Sequence, residues 1–235
     1  MKASTTATTL EKAGIPTTES YVRYYADIEG DGTVDGVIYA DLAIGGSGTW
    51  GNTYGSYTIE KATNLKEYYI SEENHSGNFG IKPVIAPKEN VEGKNDRFYV
   101  MALSNIDEST YYFYKNGNMT VETSTNFGTG KQNTATMMDK WNNASYGTKD
   151  KNDLWGFIKT QVEQGWFVPS RGEWAAFANE LGINQTNYTG FGLDSGYFSS
   201  SQFTNINAWG ALMTMSSVGN FSISYASSVR LSTIF

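Results

Sequence analysis

The sequence predicts an α+β fold built from short strands, two to three helices and much irregular loop. Three observations carry this. Strand-like runs of alternating polarity, punctuated by Gly and Asn, fill the first half and the last forty residues. Helical spacing of apolar residues occurs only in the middle of the chain. Charged residues make up 17% of the 235 while aromatics reach 14%, including 16 Tyr, so short elements can be pinned by aromatic side chains without the chain becoming disordered.

Residues 1–20 are Thr-rich and read as a tail or irregular arm, and residues 21–235 as a single domain. Residues 21–27 form a first strand, Gly30-Asp31-Gly32 a tight turn, and residues 33–42 (TVDGVIYADL) a second strand, together an early hairpin. Between 43 and 95 the composition predicts loops with short strands at 54–60 and 67–70, and His75 falls in a polar loop. Residues 98–103 and 111–114 read as strands, and Asn116-Gly117 as the turn leading to a strand at 119–122. Helices are expected at 134–144, at 153–164 through Leu154, Phe157, Ile158 and Val162, and at 170–181. The last has the firmest signal: Pro169 stops the preceding strand, and Ser170-Arg171-Gly172-Glu173 is a capping box.

Net charge of −7 with no Lys/Arg cluster argues against nucleic acid as a partner. No apolar run is long enough for a membrane span, and residues 1–9 carry no hydrophobic signal core. The absence of cysteine excludes thiolate metal sites and Cys nucleophiles. Asp27, Glu29, Asp31 and Asp35 follow the spacing of a calcium loop with Gly32 at its sixth position, but Ile38 stands where the bidentate carboxylate belongs. The preferred reading is a hairpin turn with solvated acids and no metal. Gly45-Gly46-Ser47-Gly48 lacks the Lys of a phosphate loop. Glu72, Glu73, Asp107 and Glu108 are the acids from which a glycan-processing hydrolase would draw a carboxylate pair.

The C-terminal segment differs in kind. From Ser195 to Val229 there is no charged residue, and Ser, Asn, Gly and Thr interleave with aromatics. Edge strands usually carry Lys or Glu, whereas binding surfaces favour Tyr, Ser, Gly and Asn. Period-two alternation assigns Trp209, Ala211, Met213, Met215, Phe221, Ile223 and Tyr225 to a core face. Gly210, Leu212, Thr214, Ser216, Ser222 and Ser224 then fall on an outer face.

Gly165-Trp166-Phe167-Val168-Pro169-Ser170-Arg171-Gly172-Glu173-Trp174, Tyr197-Phe198-Ser199-Ser200-Ser201-Gln202, Ala208-Trp209 and Val229-Arg230-Leu231, in this order, resemble the variable proteins of diversity-generating retroelements. These are C-type-lectin-fold relatives of formylglycine-generating enzymes. The resemblance covers about 150–235 and is thin before that. It implies a C-type-lectin-like fold, a variable ligand-binding segment at about 197–235, no enzymatic activity and no cofactor. It also implies a protein or cell-surface ligand, and a place at a cell surface, outside the cell or on a phage particle. In such proteins adenines of a template repeat are rewritten, usually in AAC codons, which cannot yield Trp, Met, Gln, Lys or Glu. Between Phe203 and Ser228 there is no Lys, Glu or Gln. The expected variable residues (Phe203, Thr204, Asn205, Ile206, Asn207, Gly210, Leu212, Thr214, Ser216, Ser222, Ser224) are each reachable. Trp166, Trp174, Trp209, Met213, Met215 and Arg230 are the expected scaffold. Without Cys the oxidation chemistry of the enzymes is not implied, and without Glu-Pro-Asn or Gln-Pro-Asp neither is calcium-dependent sugar binding. The competing expectations are the hydrolase above and a structural surface or appendage module.

Overall fold

The structure is a computed structural model that describes residues 12–89 and 93–235. The first half forms strands β1 (Tyr25–Ala26), β2 (Gly36–Asp41), β3 (Gly46–Thr49), β4 (Ser56–Ile59), β5 (Tyr68–Gly77), β6 (Gly80–Pro87) and β7 (Phe98–Ala102). The short strands β8 (Tyr111–Tyr112) and β9 (Asn116–Gly117) follow, then helix α1 (Gly130–Asn142), β10 (Gly147–Thr148), α2 (Leu154–Phe157), α3 (Lys159–Glu163) and α4 (Arg171–Glu180). The chain ends in β11 (Gly196–Gln202), β12 (Asn207–Leu212), β13 (Ser217–Ser222), β14 (Ala226–Ser227) and β15 (Ser232–Ile234). The α+β class is thus observed.

The main sheet has the order β15-β7-β2-β1-β6-β5, with β1 parallel to β6 and every other pair antiparallel. Its central strand β2 is buried throughout, which is why its sequence reads as a nearly continuous apolar run. Val37 and Tyr39 face α4, and Ile38 faces a second layer with Tyr68, Ile85, Phe98 and Val100. Asp41 closes β2 as a buried carboxylate held by Arg97, with Nε–Oδ1 and Nη2–Oδ2 both 2.9 Å. The expected β1–β2 hairpin forms, and Gly30 and Gly32 supply the positive φ its turn requires.

Helix α4 is the central element. The capping box is complete: Ser170 Oγ accepts from Glu173 N, and Glu173 accepts from Ser170 N. Trp174, Ala175, Ala176, Phe177 and Ala178 are all buried, because α4 lies between the main sheet and the β11–β13 sheet. Trp174 stacks on Tyr197 at 4.7 Å and donates Nε1–H to Phe198 O.

Several expectations are corrected. His75 is not in a loop but in β5, opposite Lys82, and β5–β6 is a long hairpin where only short strands were expected. The helix expected over 153–164 kinks at Ile158 into α2 and α3; Gly156 weakens its centre and lets the Trp141 ring approach. Asn116-Gly117 does not turn a hairpin into 119–122; it pairs with Gly147–Thr148. Residues 119–121 are held instead by the Gln202 side chain, whose Oε1 accepts from Val121 N and whose Nε2 donates to Met119 O. Of the expected tail, residues 1–11 lie outside the described residues, and Gly14 and Ile15 are docked on β5 rather than free.

Candidate functional site

The site is built on the antiparallel sheet β11-β12-β13. β11 carries three consecutive serines that are fully buried, each with a structural hydrogen bond. Ser199 Oγ donates to Trp209 O, Ser201 Oγ donates to Ser124 O, and Ser200 Oγ accepts from Asn133 Nδ2. At the register shift between Phe198 and Gln202 the Ser199 hydroxyl bonds β12 where the ladder is interrupted, and those of Ser200 and Ser201 tie β11 to Asn133 and Ser124.

The β12–β13 register runs from Asn207↔Ser222 to Leu212↔Ser217, so even positions on β12 face the same way as odd positions on β13. One face carries Gly196, Phe198, Gly210, Leu212, Gly219 and Phe221; the other carries Tyr197, Trp209, Ala211 and Val218 against α4. Trp209 and Ala211 of β12 thus face α4, but Ala208 and Gly210 on the even side are buried as well, and on β13 the parity reverses. Phe221 lies with Leu212, and Ser222 lies on the opposite side with Asn207.

The Leu212 face opens into a cleft of about 380 Å³. Phe198 forms its floor, with Phe221 edge-on to it at 5.4 Å. Leu212, Thr214, Tyr225 and Ser227 form the walls, and no lining side chain is charged. Glycines make the room: a Cβ on Gly210 would stand 2.4 Å from the Phe221 ring, and one on Gly219 would stand 2.5 Å from Leu212 Cδ1. The site therefore combines an apolar floor with hydroxyl-bearing walls.

The expected variable residues divide. Leu212, half-buried, and Thr214, exposed, line the cleft. Phe203, Asn205 and Ile206 are exposed, and Thr204 and Asn207 half-buried, in the turn between β11 and β12 at the other side of the sheet. There Thr204 Oγ1 accepts from Ile206 N and Asn207 N and fixes the turn. Ser222 and Ser224 bond to each other through their hydroxyls. Gly210 is buried under Phe221 and cannot touch a ligand. Ser216, at φ 49°, accepts from Gln185 N at 2.6 Å and is a structural corner.

Among the scaffold residues, Trp174, Trp209, Met213 and Arg230 are buried and Trp166 is half-buried. Met215 and Tyr225 are corrections: they are 63% and 71% exposed, the first because β12 ends at Leu212 and a 3₁₀ turn over Met213–Met215 breaks the alternation, the second because β13 ends at Ser222 and the chain turns over 223–225. Met215 is then a surface residue that rewriting of an AAC codon cannot produce. Phe221, Tyr225, Ser227 and Thr110 were missed as lining residues. A strand register is invisible in one sequence, and Thr110 comes from a distant segment.

The acids are placed elsewhere. Asp27 accepts from Gly30 N, Asp31 N and Gly32 N, Asp31 accepts from Thr33 N, and Asp35 accepts from Ile28 N. These oxygens brace the β1–β2 turn, whose backbone they satisfy. Burial, reinforced by Glu29 and Asp27, pushes Asp35 up to about 6. Among the described residues no group of three or more His, Asp or Glu is placed to hold a metal ion. Asp107 and Glu108 line a separate cleft with Asp194 and Arg230, while Glu72 and Glu73 sit on the edge strand β5 and are not part of it. Of the four acids, that cleft brings together Asp107 and Glu108 and leaves Glu72 and Glu73 apart.

No protein-family model matches the chain, and no curated protein does. Among solved structures, a fimbrial protein from Bacteroides ovatus ATCC 8483 aligns at a TM-score of 0.46 and 14% identity, over 92% of this chain and 49% of that one. The chain thus spans about half the length of that protein. A likeness this slight bears on neither its fold family nor its function. Among the described residues no helix is long and apolar enough to cross a membrane.

Proposed function

We propose that this chain is a ligand-binding display protein with a C-type-lectin-like fold and no catalytic chemistry or cofactor of its own. Its C-terminal segment, 197–235, is rewritten by a diversity-generating retroelement. The observation that carries the reading is the charge-free cleft on the β11–β13 sheet, with Phe198 and Phe221 beneath and Leu212, Thr214 and Tyr225 at its rim. Rigid aromatic area with adaptable hydroxyls around it binds by shape and hydrogen bonding at low entropic cost. The residues proposed to vary are those whose side chains leave the scaffold: Phe203 to Asn207, Leu212, Thr214, Ser222 and Ser224. Gly210 and Ser216 are withdrawn from that set because their places are filled by packing and a backbone bond.

The test is at the gene. The coding segment for residues 197–235 should have a near-copy close to a reverse-transcriptase gene, differing at adenines of the copy, in the codons named above. A locus with neither element sinks the retroelement reading. The binding reading is tested separately by selecting a ligand from a surface-glycan and protein array and repeating with Leu212→Asp and Tyr225→Ala. Retention of all signal by both variants would place the ligand elsewhere.

A further inference from the structure

A second patch lies on the opposite side of the same sheet. Trp209 has its indole flanked by two rings, Tyr54 at 5.0 Å and Phe203 at 4.7 Å. Those two side chains are 55% and 47% exposed, an unusual degree for packed aromatics. Arg171 completes the group, its guanidinium 4.9 Å from the Trp209 ring centroid.

The backbone that presents these groups is fixed. Asn52 Nδ2 donates to Val218 O, and a Cβ on Gly51 would stand 2.1 Å from Ser216 O, so the loop carrying Tyr54 is seated on the turn after β12. Phe203 N and Thr204 N both donate to Asn207 O. Arg171 occupies the first turn of α4, where its backbone N–H is already taken by Ser201 Oγ. Its side chain is the group left over. It makes no hydrogen bond or ion pair among the described residues, and its Nε–H is buried without an acceptor. Burial lowers its pKa, opposed by the Tyr54 hydroxyl. In a chain with 24 acidic residues against 17 basic ones, an arginine that has no ion pair among the described residues and is packed on a tryptophan is an unmet charge.

We propose that Tyr54, Arg171, Phe203 and Trp209 form a second binding site. It seats a carboxylate of a partner polypeptide on the Arg171 guanidinium, with an adjoining apolar side chain against the exposed rings. Arginine beside tryptophan and tyrosine is the composition of interface positions that carry binding energy, and a planar guanidinium presents paired N–H groups to a carboxylate. A phosphate polymer fits less well: its binding grows with the number of cations, and this patch offers one in a chain of net charge −7. Tyr54, Arg171 and Trp209 lie outside the set proposed to vary. Phe203 lies within it, so the site has three constant members and one that can change, on the side of the sheet opposite the cleft, and it stands whether or not that cleft reading does.

The experiment titrates the full chain with N-acetylphenylalanine, as the carboxylate and as its amide, following tryptophan indole and arginine Nε–H resonances by NMR. The carboxylate is expected to bind about tenfold more tightly than the amide, the usual scale for a hydrogen-bonded charge. Arg171→Met, which keeps an apolar stem on Trp209, should bring the carboxylate down to the amide's affinity. Tyr54→Leu should weaken both probes and leave their ratio unchanged. If Arg171→Met fails to fold, the wild-type ratio and Tyr54→Leu still decide. Glu163→Gln, exposed at the end of α3, should alter nothing. Equal binding of the two probes, resonance shifts confined to other residues, or tighter binding of a short oligothymidylate at the same resonances would each overturn the proposal.

Discussion

Replacing Glu173 by Gln exposes a competition inside the capping box of α4. Glu173 is fully buried. Its Oε1 accepts from Gly128 N at 3.1 Å and Gly130 N at 3.2 Å, and its Oε2 accepts from Ser170 N at 2.6 Å. These N–H groups favour the ionised carboxylate, and burial opposes it. Burial prevails, raising the group from 4.5 to about 7. Between those values the folded protein holds a proton that the unfolded chain has released. The stabilisation is therefore fully present below about pH 4.5 and is lost as pH rises through about 7. At ~1.4 kcal/mol per pH unit, the interval from 4.5 to about 7 corresponds to about 3 kcal/mol. Glu173→Gln keeps the shape and removes the titration, and every other titrating group is common to both proteins. Urea unfolding at about pH 5, 6 and 8 should show wild type losing most of this ~3 kcal/mol relative to the variant as pH rises. Parallel pH profiles would refute the reasoning. A wild type that gains on the variant with rising pH would show that the three N–H groups outweigh burial.

Two further outcomes test the assignment of scaffold against surface. Gly210→Ala places a Cβ 2.3 Å from Tyr197 O, and thermal or urea unfolding should register a loss of ~1–3 kcal/mol, whereas Asn205→Ala, exposed in the same segment, should stay within ~0.5 kcal/mol. Arg97→Met leaves Asp41 buried and unpaired and should cost ~3–5 kcal/mol in the same assay, with most of it recovered by adding Asp41→Leu.

The legible parts of this fold were those with a local cause. The capping box at Ser170 and Glu173 needs only three residues of spacing, and it stands as read. The Gly30-Asp31-Gly32 turn likewise follows from local backbone demands. What escaped depended on partners far along the chain. Residues 119–121 alternate like a strand, yet the buried Gln202 amide supplies their hydrogen bonds from 81 positions away. His75 sits in a polar stretch that composition assigns to a loop; pairing with β6 makes it strand. Within the site, Trp209 faces α4 as its parity on β12 suggests, while Met213 is buried in the 3₁₀ turn that follows β12 rather than by strand alternation. Phe221 changes face because the turn after β12 shifts the count, whereas Tyr225 is exposed because β13 ends at Ser222 and the chain turns over 223–225. The Arg171 patch had no signal at all: its members come from positions 54, 171, 203 and 209.

That turn separates two kinds of mutational freedom. Thr214, at its tip, is exposed, so exchanging one side chain there disturbs no packing. Adding one residue to the turn is another matter. It would slide β13 by one place against β12, turn Phe221 to the α4 face and Val218 away from it, and empty the cleft of its ring. Adding two would restore the faces. Length and spelling are thus under opposite constraints across 213–216: the segment can absorb many letters but only one count of them, modulo two.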